Sequence, residues 1–244
     1  MTAIIERPSP NFNDRPKGDR PGGAAGAAVD LLILHYTGMR TAEEALARLC
    51  DRASKVSAHY TIDEDGTIYR HVAEEKRAWH AGASYWAGAR NLNDRSVGIE
   101  LVNPGHEFGY RAFPEAQIAA LIGLGRAIAA RHGIPPRRVL GHSDVAPKRK
   151  ADPGELFPWP RLAAEGLGIW EPRPRMDMSR SIQVPEIQEN LAGIGYECPA
   201  SGVLDEDTRA AVTAFQRHFR PREISGIPDG ETAALAALLR RRFG

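Results

Sequence analysis

The fold of this chain is organised around the stretch Gly141-His142-Ser143-Asp144-Val145-Ala146-Pro147-Lys148-Arg149-Lys150-Ala151-Asp152-Pro153-Gly154. It follows a short apolar run, Arg138-Val139-Leu140, which predicts the end of a strand. The prolines and the final glycine prevent a regular helix beyond it. The sequence therefore predicts His142 at a strand end. Lys150 and Asp152 are expected on an irregular, rigid loop, the kind of segment in which reactive side chains usually lie.

A second histidine also stands at the end of a predicted strand. Four apolar residues, Leu31–Leu34, predict a buried strand, and His35 follows them directly. Neutral imidazoles and carboxylates are good zinc ligands, and three protein ligands leave the fourth tetrahedral position open, as in catalytic zinc sites. Lone histidines at strand ends are more often structural, so the residues alone leave both interpretations of His35, His142 and Asp152 open.

Four short motifs then identify a family. Leu34–Gly38, Trp79–Gly82, Val97–Asn103 and Gly141–Gly154 resemble, in their order along the chain, the motifs of zinc-dependent N-acetylmuramoyl-L-alanine amidases of type 2 (AmpD/AmiD-like), over about residues 29–160. The resemblance implies one Zn²⁺ per chain, held by His35, His142 and Asp152. It also implies cleavage between the lactyl group of N-acetylmuramic acid and L-alanine, in peptidoglycan or anhydro-muropeptides.

Composition limits the remaining classes of function. The 244 residues carry a formal net charge of +1, which gives no reason to expect nucleic acid as a partner. No apolar run approaches the length of a membrane span, and the first residues lack the apolar core of a signal peptide. We therefore expect a monomer in the cytoplasm, or in the periplasm if a signal peptide had been removed. The two cysteines, Cys50 and Cys198, predict buried apolar side chains rather than a disulfide framework.

The pattern of elements predicts an α/β fold with a mixed central β-sheet flanked by helices, the type 2 amidase/peptidoglycan-recognition fold according to the resemblance. A hairpin is expected around Asp65-Gly66, a third strong strand at Ser96–Asn103 and a helix at Pro114–His132. Residues 1–28 are rich in Pro, Gly, Asn and Asp and predict an extended arm over residues 29–170, the zinc amidase domain.

The sequence of the last third of the chain predicts a separate, small three-helix domain. Residues 171–179 form a Pro- and charge-rich linker, and residues 180–244 follow. Within them, Gly202–Thr208 is echoed by Gly226–Thr232, each with an aspartate placed as a helix N-cap. This region resembles the peptidoglycan-binding domain often appended to cell-wall hydrolases, and we expect it to tether the enzyme to polymer.

Several further side chains are candidates for the site. Glu100 stands between apolar neighbours in a strand, so it is either paired with a cation or functional; the resemblance makes it the base. Lys150 suits stabilisation of the developing oxyanion. His80, Trp79 and Asn103 are candidate substrate contacts, with packing as the alternative. His59 is expected to be structural or to support the site, and Lys148 and Arg149 are expected to be solvated charges. Four further histidines are expected to be ordinary surface or capping residues: His71, His106, His132 and His218.

Two other functions stay open on the sequence. A non-catalytic peptidoglycan receptor of the same fold typically lacks a metal ligand, whereas all three candidates are present here. A metal-independent hydrolase using Ser143 and a histidine has no supporting motif, because no glycine stands two residues after Ser143. Metal content of the purified protein separates these hypotheses.

Overall fold

The computed structural model describes residues 4–16, 29–172 and 182–244. In chain order the described strands are β1 (Ile4–Glu6), β2 (Phe12–Asp14), β3 (Leu31–Tyr36), β4 (Tyr60–Ile62), β5 (Ile68–Arg70), β6 (Lys76–Ala78), β7 (Tyr85–Trp86), β8 (Ala89–Arg90), β9 (Ser96–Leu101) and β10 (Val139–Gly141). The described α-helices are α1 (Ala42–Cys50), α2 (Gly105–Phe108), α3 (Glu115–His132), α4 (His142–Val145), α5 (Trp159–Ala164), α6 (Val184–Ile194), α7 (Glu206–Phe219) and α8 (Gly230–Phe243).

The central sheet is mixed, as predicted. Among the described residues it has six strands in the order β1-β5-β4-β9-β3-β10. β4 and β5 form the expected antiparallel hairpin, in which Gly66 takes a positive φ of 88° that suits a tight turn. The other neighbours pair in parallel, so the C-terminal ends of β9, β3 and β10 lie at the same edge.

Helix boundaries follow the capping signals in the sequence. The Thr41 side chain accepts a hydrogen bond from the Glu44 backbone N–H at 3.1 Å and begins α1. The predicted helix Pro114–His132 is α3, and Gly133 ends it in the left-handed conformation with φ 66°. Asp205 and Asp229 cap α7 and α8 in the same way, each accepting a bond from a threonine N–H three residues on.

The strand β3 contributes to both hydrophobic cores, because side chains alternate across a sheet. Leu32 and Leu34 pack in a core that includes α3. Leu31 and Ile33 pack on the opposite face, in a core that includes buried residues of α6, α7 and α8. The C-terminal helices therefore cover one face of the sheet rather than packing only on one another.

The domain boundaries remain predictions. Of the arm expected at residues 1–28, the described part forms β1, which pairs in parallel with β5, and β2, which pairs with β6; residues 1–3 and 17–28 lie outside the described residues. Of the predicted linker, residues 173–179 also lie outside them. None of the described helices has both the length and the hydropathy of a membrane-spanning segment. Both cysteines are free; Cys198 is buried as expected, whereas Cys50 is partly exposed.

Candidate metal centre

Strand register places three of the predicted site residues side by side. In the parallel pairing of β3 with β9, His35 lies opposite Glu100. In the pairing of β3 with β10, Leu34 lies opposite Gly141, so His142 follows at the level of His35. Neighbouring strands are about 4.8 Å apart and residues in register point to the same face. Two imidazoles and a carboxylate therefore meet at one edge of the sheet.

Asp152 reaches this edge through the loop that follows α4. The Ser143 backbone N–H donates to the Asp152 carbonyl oxygen at 2.8 Å, which folds the loop back onto the helix that carries His142. Gly141 permits this approach, since a Cβ there would lie 2.7 Å from Pro153 Cδ. The Tyr110 hydroxyl donates to the Pro153 carbonyl oxygen at 2.8 Å and fixes the far side of the loop.

The three predicted ligands form a nearly equilateral triangle of ligand atoms. His35 Nδ1 lies 2.9 Å from His142 Nδ1, and Asp152 Oδ2 lies 3.0 Å from each of these nitrogens. All three residues are buried. Zinc–ligand bonds of about 2.0–2.1 Å in a tetrahedron imply ligand atoms about 3.3 Å apart. The observed triangle is close to that spacing, and its nitrogen and oxygen donors suit zinc.

Hydrogen bonds on the outer side of each ring determine the histidine tautomers. His142 Nε2 lies 3.1 Å from the Ala81 carbonyl oxygen and therefore donates to it. His35 Nε2 lies 3.0 Å from His80 Nδ1, and His80 Nε2 lies 3.2 Å from Ser96 Oγ, which donates to the Leu92 carbonyl oxygen at 2.6 Å. With both Nε2 atoms donating outward, three lone-pair atoms converge without a proton between them, an arrangement that a cation stabilises.

Electrostatic interactions at the triangle favour the protonation states in which histidine and aspartate bind a metal. Burial and the neighbouring His142 imidazole lower the pKa of His35 to about 4, so this ring is neutral near pH 7. Burial disfavours ionisation of Asp152, but a proton on Nδ1 of His142 or His35 outweighs burial in the metal-free chain and holds the pKa of this carboxyl below its usual value. A neutral imidazole and an ionised carboxylate are the forms that bind metal.

Glu100 lies beside the triangle and faces the same cleft. Its Oε2 atom is shielded from solvent and has no hydrogen-bond partner among the described residues. Burial, together with the nearby Asp152 carboxylate, raises the pKa of Glu100 well above its usual value, although Lys150 opposes the shift. A carboxylate in this position binds a proton readily, which suits a general base.

The cleft in front of the triangle has a volume of about 610 Å³. Lys150 is exposed and lines this cleft with Trp79. Asn103 does not line it: the residue is fully buried, its amide donates to the Arg111 carbonyl oxygen at 2.8 Å, and its Oδ1 accepts from the Gly105 N–H at 3.0 Å. The position of Asn103 therefore favours a structural role in the loop after β9.

The two cations that precede Lys150 both contact segments far away in the sequence. Arg149, expected to be solvated, donates to the carbonyl oxygens of Ala81 and Ala83. These hydrogen bonds connect the loop after α4 to the segment after His80. Lys148 forms an ion pair with Asp207 of α7. Lys148 is exposed, as expected, whereas the bonds of Arg149 to Ala81 and Ala83 were not expected, because local charge patterns do not reveal contacts between segments far apart in sequence.

The remaining histidines divide between supporting and structural positions. His80 lies behind His35, as described above, and fills the space beside Gly98. His59 is fully buried, accepts the Gly98 N–H at its Nδ1, and has its pKa lowered to about 3 by burial and by Arg15, which fits the predicted structural or supporting role. His71 and His218 are buried, against the expectation of surface residues. Each bonds a distant segment, His71 through the Arg7 carbonyl oxygen and His218 through the Asp144 carboxylate.

The chain matches the models of two known families. The profile of the family described as "N-acetylmuramoyl-L-alanine amidase" matches residues 25–155. The profile of the family described as "Putative peptidoglycan binding domain" matches residues 180–235. The first match contains all three atoms of the triangle, and the second contains α6 and α7 and the beginning of α8.

Individual relatives extend the similarity over nearly the whole chain. N-acetylmuramoyl-L-alanine amidase AmiD of Escherichia coli is 38% identical over 260 residues, which cover 99% of this chain and 91% of AmiD. The solved complex of AmiD with the substrate anhydro-N-acetylmuramic acid-L-Ala-D-gamma-Glu-L-Lys superposes with a TM-score of 0.79 at 35% identity, covering 96% of this chain and 98% of AmiD. AmpDh3 of Pseudomonas aeruginosa, in complex with anhydromuramic pentapeptide, gives a TM-score of 0.74 at 34% identity, covering 92% and 96% of the two chains.

Proposed function

The chain belongs to the N-acetylmuramoyl-L-alanine amidase family and hydrolyses the amide between the lactyl group of N-acetylmuramic acid and L-alanine, and we propose that it does so with one zinc ion. The ligands are His35 Nδ1, His142 Nδ1 and Asp152 Oδ2. The observation that carries this proposal is their convergence at 2.9–3.0 Å with both imidazole protons directed outward. Zinc supplies Lewis acidity, which activates water for attack on an amide near neutral pH.

Glu100 and Lys150 perform the proton transfer and charge stabilisation. Glu100 accepts a proton from the attacking water, because its raised pKa and shielded Oε2 make it a good acceptor. The same carboxyl then returns the proton to the leaving amine of L-alanine. Lys150, on the rim of the cleft, provides an ammonium group for the oxyanion that forms at the lactyl carbonyl. Trp79 is a candidate contact for the sugar or peptide, and His80 orients His35.

The substrate we assign is a muropeptide or peptidoglycan strand, bound by a monomer. AmiD and AmpDh3, which resemble this chain along nearly all of its length, have been solved with anhydro-muropeptide ligands. The region of α6–α8 matches a peptidoglycan-binding family and supports contact with polymer. A receptor function is disfavoured because all three ligands are present. A Ser143 hydrolase is disfavoured because no hydrogen bond from a histidine to this buried side chain occurs in the described part of the chain.

Metal analysis combined with four variants tests the proposal. We expect about one zinc per chain in the purified protein, and loss of both zinc and muropeptide hydrolysis in His35→Ala, His142→Ala and Asp152→Ala. Glu100→Gln keeps the shape of the side chain but cannot act as a base, so it should retain zinc while kcat falls at least ~10²-fold. Circular dichroism checks that each variant is folded. A ligand variant with full zinc content would remove that residue from the site, and near-normal turnover of Glu100→Gln would refute its role.

A further inference from the structure

The helix α7 runs beside the loop that carries the metal ligands. Near its N-terminus, Asp207 forms an ion pair with Lys148. In its last turn, His218 Nδ1 lies 2.8 Å from Asp144 Oδ2, and Arg217 Nε lies 3.5 Å from Glu155 Oε2. These three contacts fall along residues 144–155, the segment that contains Lys150 and Asp152. A helix of the C-terminal region therefore borders the ligand loop over much of its length.

Asp144 connects this helix directly to the ligand His142. Its Oδ2 accepts the backbone N–H of Gly141 at 2.7 Å, and Gly141 is the N-cap of α4, which begins at His142. Its Oδ1 accepts the hydroxyl of Tyr196 at 2.7 Å, and its Oδ2 also accepts His218. The carboxylate is 1% exposed, so these bonds replace water completely. Two of its three donors come from the C-terminal region.

Packing fixes the direction in which His218 donates. Its ring stacks on Trp159 of α5 with centroids 3.8 Å apart and planes 14° apart. It also stacks on Phe219, with centroids 4.0 Å apart and planes 6° apart. The side chain is 2% exposed. A ring confined in this way cannot follow Asp144 if α4 shifts, so the bond resists movement of the helix.

A second chain of contacts reaches the other histidine ligand. Glu155, which faces Arg217, accepts His106 Nε2 at 3.1 Å through both of its oxygens. His106 Nδ1 in turn lies 2.9 Å from the hydroxyl of Tyr36, the residue after His35. The last turn of α7 therefore contacts the surroundings of both imidazole ligands.

From these contacts we propose that His218 and Tyr196 are positioning residues for the metal centre, acting through Asp144 on His142. The C-terminal region is then part of the amidase machinery, beyond any attachment to the cell wall. The inference depends on the proposed zinc site. Supporting residues outside the ligands typically change metal affinity 10–100-fold, and we expect about tenfold because His218 acts through one further residue.

The experiment measures zinc dissociation constants of the full chain by competition with a chromophoric chelator. His218→Ala should weaken zinc binding about tenfold. His218→Asn should restore most of the affinity, because the Asn side-chain amide nitrogen occupies the same δ position as the donating Nδ1. Tyr196→Phe removes one hydroxyl and should weaken binding about threefold. Visible absorption of the Co²⁺-substituted proteins checks whether the ligand geometry changes in the same order.

Leu235→Ala is the matched control for general destabilisation. Leu235 is 1% exposed, in the same C-terminal region but on α8, and removal of its side chain should lower the melting temperature at least as much as His218→Ala. Its zinc affinity should equal that of the unmodified chain. Equal weakening in Leu235→Ala and His218→Ala, or unchanged affinity in His218→Ala, would overturn the positioning role. Absence of zinc binding by the unmodified chain would instead refute the zinc site itself.

Discussion

Replacement of Gly98 by alanine tests whether His80 orients the proposed ligand His35. Gly98 lies in β9, where a Cβ would stand 2.5 Å from both Cγ and Nδ1 of His80. Carbon atoms attract one another at about 3.5–4.0 Å, so the His80 ring must move by about 1 Å. The ring is held by His35 at 3.0 Å and by Ser96 at 3.2 Å, and a shift of that size breaks the bond to His35 Nε2.

Two effects of Gly98→Ala are expected, one on the stability of the fold and one on the affinity for zinc. Overpacking of a buried position costs about 1–3 kcal/mol of the free energy of unfolding. Loss of the partner that fixes a ligand ring weakens metal binding about 10–100-fold. We therefore expect Gly98→Ala to melt at a lower temperature and to bind zinc at least about tenfold more weakly. Chelator competition measures the affinity, and thermal unfolding by circular dichroism measures the stability.

Gly123→Ala provides the control for an added methyl group. Gly123 lies in α3, and a Cβ there meets nothing within 4 Å. Alanine in a helix interior is favoured over glycine by up to about 1 kcal/mol, so this variant should be slightly more stable and bind zinc normally. If Gly98→Ala is destabilised but its zinc dissociation constant stays within about twofold of the unmodified chain, His80 is a packing residue and the reasoning is wrong.

Two further predictions concern charge. Lys150→Met, which keeps the length but removes the ammonium group, should lower kcat more than it raises KM, whereas Lys150→Arg should retain part of the activity; an effect confined to KM would assign Lys150 to ground-state binding. Glu74 is buried, but hydrogen bonds from Arg131, Tyr60 and His132 outweigh the effect of burial and lower its pKa to about 2. The ionised carboxylate therefore contributes fully to the free energy of unfolding above pH ~4.5, and this contribution is lost as the pH falls toward 2. The difference in unfolding free energy between the unmodified chain and Glu74→Gln should therefore shrink by about 3 kcal/mol between pH 7 and pH 2. Glu75→Gln, at the exposed neighbouring residue, is the control. A difference that stays constant with pH in urea titrations would contradict the prediction.

Local patterns were sufficient to predict the sheet and to place the two candidate ligand histidines at strand ends. His35 directly follows the apolar run Leu31–Leu34, and His142 follows Val139-Leu140 after one glycine, so both positions at strand ends could be inferred from the apolar runs. Val97, Ile99 and Leu101 alternate with Gly98 and Glu100 along β9, and this period-two pattern agrees with the structure, where the three apolar side chains lie in the core with α3 and Glu100 faces the cleft. The aspartates predicted as N-caps gave the beginnings of α7 and α8 to within a residue.

Contacts between distant segments could not be predicted in the same way. Three hydrogen bonds depend on how separate elements pack in space: His35 with His80, Arg149 with the carbonyl oxygens of Ala81–Ala83, and His218 with Asp144. One local signal was available for the first of these, since a glycine inside a strand often marks a close approach by another group, and Gly98 has that role for His80. The predicted cytoplasmic location and the monomeric state stay predictions.

The alternation of β3 between two cores has a consequence for how such enzymes can be recombined. Leu31 and Ile33, with Leu140 and Val145, share a core with the C-terminal helices and are almost completely shielded from water. Exchange of those helices for an unrelated wall-binding module would expose this apolar surface, and exposed patches of that kind promote aggregation. The amidase domain and the C-terminal helices therefore have to be kept or exchanged together. A different module fused at residues 171–179 preserves a soluble enzyme only when it has an apolar face complementary to this surface.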